Sequence, residues 1–273
     1  MLELHSFHRI WCLAKFELVR MFLTKRGGIA LAAFATAWFL ILYYAISTAV
    51  DLVSSDIFIT IAHQIISAAG MRELLSWRVA ELSVFWVMAV YSFPIFSLVA
   101  ASDQTCADRS RGTLRFIALR ATRAEILFGR FLGQVLILAI LIACALIATV
   151  LMASYRDASL FFVGLVKSLY VFKNILIAVM PFIALMAFIN SFIRSARLAI
   201  VVSFLFFGLT PTLIAFIEYK LGLNTYLTYL IPGVQLSDVI NQRDLLFNEY
   251  FIPLAQVCGY LLVGNIIMKR SSL

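Results

Sequence analysis

Charge is missing from this sequence wherever apolar residues are dense. Of 273 residues, 13% are charged and 63% hydrophobic, whereas a soluble domain of this length carries about a quarter charged. A soluble core could not hold that much apolar surface, so a purely soluble protein is excluded. Cysteine is also sparse. Cys12, Cys106, Cys144 and Cys258 lie far apart and form no CxxC pair, so neither a zinc site nor a disulfide framework is signalled. His5 and His8 stand one helical turn apart but bring no third ligand. No cleavable leader is expected, because the first apolar run is too long for a signal h-region. No GxxxxGK[ST] phosphate loop and no internal repeat appear.

Six long uncharged runs are present: Gly27–Val50, Leu82–Ser102, Phe131–Tyr155, Asn174–Ile193, Leu198–Ile217 and Tyr250–Met268. About 20 residues suffice for a helix to cross a bilayer core of about 30 Å. One charge at mid-bilayer costs about 2.5–3.5 kcal/mol on insertion scales. The fold class expected is therefore an all-α membrane protein, one transmembrane domain over residues 1–273 with six spans. Pro94, Pro181, Pro211 and Pro253 fall within four of the runs and read as kinks, which neighbouring helices in lipid can accommodate. Two shorter apolar pieces, Ile57–Gly70 and Ala158–Val171, read as surface helices on the outer side.

Orientation follows from Lys and Arg. With the N-terminus inside, fifteen of the 22 basic residues are cytoplasmic, and nine of the fourteen acidic residues are outside. Both termini are expected in the cytoplasm. The net charge of +8 then describes a basic cytoplasmic rim, not a nucleic-acid surface. Residues 1–26 form an amphipathic helix, with Leu4, Phe7, Trp11, Ala14, Leu18 and Met21 at helical spacing opposite a basic side. Placed before a span, it suits the membrane interface. Gly27-Gly28 is expected to let the chain turn into the bilayer.

The segment 103–130 is the most informative. It starts polar, passes Gly112-Thr113, and becomes a short helix carrying Leu114, Phe116, Ile117 and Leu119. Thr122 to Glu125 has the spacing of a capping box opening the next helix. The loop thus presents arginine and apolar side chains together, as a docking surface does, although a positive-inside loop lying on lipid phosphates has the same composition.

This loop resembles the first cytoplasmic loop of type-2 ATP-binding-cassette exporter permeases. The residues carrying the resemblance are Asp108, Gly112-Thr113-Leu114, Arg123, Glu125-Ile126 and Gly129-Arg130. The chain departs from the pattern at Arg120, where proline is usual, and at Arg130, where lysine is usual. The elbow helix, six spans and long last outer loop are similar to the same plan, in which Leu227–Tyr250, with Pro232-Gly233, corresponds to a broken hairpin. The resemblance implies a permease without its own ATPase, using ATP and magnesium held by two copies of a separate ABC-type subunit. It implies a second copy of this chain or a homologous permease, and location in a bacterial inner membrane. The implied docking residues are Asp108, Arg111, Gly112, Thr113, Leu114, Arg115, Phe116, Ile117, Leu119, Arg123 and Glu125.

The cargo is not legible. Gln134, Asn190, Ser203, Thr210 and Thr212 are candidate pathway residues, as are Gln256 and Asn265, but each is more simply a helix–helix hydrogen bond. Asp, Glu and His are absent from every run, which excludes an intramembrane hydrolase. A secondary transporter and a membrane assembly protein stay open as alternatives.

Overall fold

The computed structural model describes residues 2–46, 77–221, 226–236 and 250–270. Among them there are helices and turns and no strand. The helices are α1 (Leu2–Leu23), α2 (Lys25–Leu40, continued by a π turn over Ile41–Ile46), α3 (Ala80–Ala100), α4 (Cys106–Ser110), α5 (Thr113–Ala118), α6 (Arg123–Arg156), α7 (Leu160–Asn190), α8 (Ala196–Leu221) and α9 (Ile252–Arg270). Six of these, α2, α3 and α6 to α9, are long and apolar enough to cross a membrane. The segment Ile57–Gly70 and the second half of the expected outer hairpin lie outside the described residues.

The helix breaks have local causes. Between α1 and α2 the break falls at Thr24, whose hydroxyl accepts the Gly27 amide at 3.2 Å. The expected turn at Gly27-Gly28 is therefore displaced: both glycines lie inside the first turn of α2. Gly27 still matters, since a Cβ there would collide with the Met21 carbonyl oxygen. Pro253 stands in the first turn of α9, where no amide hydrogen is required, so it is not the internal kink expected. Pro94, Pro181 and Pro211 are internal to α3, α7 and α8.

A second correction concerns Ala158–Val171. It is not a separate surface piece, because Leu160–Asn190 is one helix. Lys167 and Lys173 suggest an end to the span in sequence. In space they lie against aromatic faces, Lys167 Nζ at 4.0 Å from the Trp77 ring centre and Lys173 Nζ at 4.8 Å from that of Tyr250. Cation–π contact lets the helix carry both charges without breaking. The α6–α7 turn is an Asx turn, with the Ser159 amide donating to Asp157 Oδ1 at 2.9 Å, and that bond holds the Asp157 carboxyl below its ordinary range.

α6 and α7 form the centre, with α3, α9 and α1 packed around them. Trp38 and Phe34 of α2 stack among Phe85, Phe93 and Phe96 of α3, with ring centres 4.8 to 6.1 Å apart. Glu81, buried at the start of α3, pairs with Arg156 at the end of α6 (2.9 Å). At the opposite end, Asn190 ties three elements. Its amide donates to the Ala101 carbonyl (3.0 Å), its Oδ1 accepts from Cys106 Sγ (2.8 Å), and its carbonyl accepts from Thr105 (3.1 Å). Replacing Asn190 with alanine takes the amide donor from the Ala101 carbonyl and one of two acceptors from the Cys106 thiol, while Thr105 keeps the backbone carbonyl. We expect a loss of about 1–3 kcal/mol, read as a lower unfolding midpoint of purified protein, and an unchanged midpoint would contradict the bridging role.

Candidate coupling site

At the end of the molecule where α3 ends and α6 begins, the segment 103–123 folds back on the bundle. Gly112, at φ +71°, supplies the left-handed turn that separates α4 from α5 and that glycine adopts most readily. Thr113 Oγ1 donates to the carboxylate of Asp108 at 3.1 Å and to its carbonyl at 3.2 Å, which closes the turn. Thr122 and Glu125 form the capping box expected. The Glu125 amide donates to the Thr122 hydroxyl (3.2 Å), and the Thr122 amide donates to the Glu125 carboxylate (2.7 Å).

The docking residues inferred from sequence divide by direction. Phe116 and Leu119 project outward, 73% and 82% exposed, and Arg111, Thr113 and Arg115 are also exposed. Ile117 is half-buried, and Leu114, 2% exposed, is an anchor in the core. Glu125 is buried under Arg9 of α1 (3.5 Å). Arg123 donates to the Met268 and Lys269 carbonyls at 2.7 and 2.8 Å, so it caps the last turn of α9. A groove of about 540 Å³ runs between α5 and α1, bordered by Leu13, Phe116, Ile117 and Leu119 among others.

Beneath the loop lies a charged core that sequence reading passed over. Arg130 of α6, 1% exposed, pairs with Glu17 of α1 and with Asp108 of the loop. Glu17 also takes Gln134 Nε2 at 3.4 Å and Arg20 at 3.6 Å. Arg20 reaches on to the carboxylate of Asp103 at 3.2 Å and to its carbonyl at 3.0 Å. Asp103 in turn accepts the Ala107 amide at 2.8 Å. Elbow helix, loop and long central helix are thereby joined by alternating charge. The signal was present in the sequence: Glu17 falls in the stripe of Ile10, Leu13, Ala14 and Met21, so a carboxylate sits on the packing side of an amphipathic helix. Phe7 and Trp11, of the apolar face expected at the membrane interface, are exposed, as is Phe16, while Ala14 and Glu17 are buried against the bundle.

The candidate pathway residues do not converge. Gln134 belongs to the charged core and Asn190 to the α3–α7 bridge. Ser203 and Thr212 donate to carbonyls of their own helix, Ile200 at 2.7 Å and Gly208 at 3.1 Å, and Thr210 is half-buried on that same helix. Gln256 donates to the Tyr229 carbonyl at 2.7 Å and holds the 226–236 segment to α9. Asn265 lies nearer the other end of α9, with a buried Oδ1 that has no hydrogen-bond partner among the described residues.

Among curated proteins no match is found. A family model described as ABC-2 family transporter protein matches residues 48–256, which takes in α3 to α8, the whole 103–130 loop and the start of α9. With well over half of its length matched and six helices able to cross a membrane, this multi-pass membrane protein belongs to the ABC-2 transporter family.

Proposed function

We propose that the chain is the permease half of an ATP-driven exporter, worked by a separate ABC-type ATPase gripping α5. The observation that carries this is a short helix with Phe116 and Leu119 bare at its surface and Leu114 sunk into the bundle, braced through Asp108 to Arg130 and Glu17. Force applied to such a helix reaches α6 through an ion pair and reaches α1 through the same arginine. ATP and magnesium belong to the partner, present in two copies. Closure of the two ATPases pushes α5 and tilts α3 and α6.

The pathway is placed between two copies of this chain, or this chain and a homologous one, around a two-fold axis. Five of the seven polar candidates, Gln134, Asn190, Ser203, Thr212 and Gln256, bond within the single bundle, which supports a pathway outside it. The basic end carrying Arg109, Arg111, Arg115, Arg120 and Arg194 faces the cytosol of a bacterial inner membrane, following the positive-inside rule.

Deleting 114–119 would remove a core residue as well as the docking face, so surface substitutions make the cleaner test. Phe116→Asp with Leu119→Asp is expected to reduce co-purification of an ATP-hydrolysing partner from native membranes by about tenfold or more, with the unfolding midpoint preserved. Undiminished capture of the partner would refute docking through α5. Orientation needs a reporter other than Cys106, which is buried. Leu119→Cys, in a background lacking the exposed Cys12, Cys144 and Cys258, should resist impermeant thiol reagents in intact cells and react once the membrane is opened.

A further inference from the structure

On the side of α5 away from the α1 groove, a cavity of about 340 Å³ is lined by Arg109, Arg111, Arg115 and Arg194, with Ser110 and Gly112 on its wall. No carboxylate lines it. Arg9, Arg20 and Arg130 each face an acid, and Arg123 faces helix-terminal carbonyls. Arg130 also has a buried Nε without a hydrogen-bond partner but is paired with two carboxylates; Arg109 has buried Nε and Nη2 without a hydrogen-bond partner and no ion pair among the described residues. A buried guanidinium with unused donors beside three more guanidiniums is unfavourable unless an anion completes it.

We propose that this cavity binds the phosphate of an acidic phospholipid headgroup from the leaflet into which this end of the bundle opens. Three observations favour lipid over a carboxylate of a docking protein. Arg194 stands in the turn between α7 and α8, two helices long enough to span, so it sits where the apolar run ends and the phosphate layer begins. Cys106, three residues before Arg109, donates to the Ile193 carbonyl at 3.4 Å, which fixes α4 at the same depth. The outward residues Phe116 and Leu119 border the other groove, toward α1, whose lining includes Arg9 and Arg120, so the apolar side chains of α5 do not line the four-arginine cavity except at Leu114. Basic cavities between spans at a membrane face take anionic headgroups, and guanidinium forks match phosphate oxygens two at a time. With the basic end toward the cytosol, a reading the assignment to the inner leaflet rests on, that leaflet supplies the lipid. Binding itself is independent of orientation.

The test is native mass spectrometry of the purified full chain released from nanodiscs of equal phosphatidylglycerol and phosphatidylcholine. The wild type should retain phosphatidylglycerol over phosphatidylcholine by about tenfold. Arg109→Gln with Arg194→Gln should lose that preference, while Arg120→Gln, on the other groove, should keep it. Arg109→Lys keeps the charge without the fork and should fall between, which serves if the double variant does not fold. Retention of phosphatidylglycerol unchanged in the double variant overturns the proposal. So does equal displacement by inorganic phosphate, which would make the site one for free anions. Unchanged lipid retention with loss of ATPase co-purification would overturn it too, assigning the arginines to the protein partner. An inverted orientation in the thiol-labelling experiment alters only the leaflet and leaves the lipid preference standing.

Discussion

Arg130→Met is expected to destabilise the protein by about 3–5 kcal/mol, the range for removing one partner of a buried ion pair. The reason lies in what remains. Glu17 is buried to the same degree as Arg130, and without the guanidinium it keeps only Arg20, at 3.6 Å, and the Gln134 amide at 3.4 Å. Asp108 loses its link to α6 while its turn with Thr113 persists. Methionine fills much of the arginine stem, so cavity formation contributes little and the effect reports charge. The double variant Arg130→Met with Glu17→Leu should recover a large part of the loss, because replacing a buried pair by apolar residues is often neutral or better. Unfolding midpoints of the two single variants and the double variant give the coupling directly. If Arg130→Met alone melts with the wild type, the triad is not holding the elbow to α6. The recovered double variant should nonetheless couple poorly, since Asp108 then loses its link through Arg130 to α6 and α1, and Arg20–Asp103 is left as the ion pair between loop and elbow helix.

Gly133→Leu is expected to separate α1 from α6, with a loss at or above the 1–3 kcal/mol usual for overpacking. A Cβ at Gly133 would stand 2.7 Å from the Glu17 Cβ and 3.2 Å from the Ala14 carbonyl oxygen, and one at Gly129 would stand 2.7 Å from the Leu13 Cβ and 3.1 Å from the Ile10 carbonyl oxygen. The two glycines are four residues apart, the small-xxx-small spacing that lets helix backbones approach. Because carbonyl oxygens belong to the backbone of α1, no rotamer change relieves the contact; the helix itself must lift. Lifting it also breaks the Arg130–Glu17 pair, so the two predictions share one interface and should not add. Proteolysis at Arg9, Lys15 and Arg20 would report the release of α1, together with a lower unfolding midpoint. Gly208→Ala, where a Cβ meets nothing within 4 Å, is the control and should stabilise by up to about 1 kcal/mol on helix propensity. Equal protection of α1 in Gly133→Leu and wild type would show that the close approach is not required.

Legibility in the sequence followed the range of the interaction. The capping box at Thr122–Glu125 and the short helix after Gly112-Thr113 are set within a few residues and are legible there; the left-handed turn at Gly112 and the outward direction of Phe116 and Leu119 come from the structure. The break at Thr24 was mislocated by only a turn, because two glycines and a threonine compete to end the helix there. The extent of α7 was misread because Lys167 and Lys173 look like the end of a span until Trp77 and Tyr250 are brought beside them. Leu114 looked like part of a docking face, since an apolar residue on a short exposed helix has the same signature whether it points out or in. Asn190 is ambiguous for the same reason, since an amide in a span carries no mark of which neighbour it bonds; the simpler reading, a hydrogen bond across to another element, is the one found.

By itself the order of amino acids determined partition: six uncharged runs enter lipid, and the basic segments between them do not, because hydrocarbon offers charge no partner and the penalty is local to each residue. Only the tertiary structure decided which buried charges meet. Residues 17, 108 and 130 come together because two glycines let one helix lie on another, and a contact such as Glu17–Arg130, made across more than a hundred positions, leaves no trace in any short window of sequence.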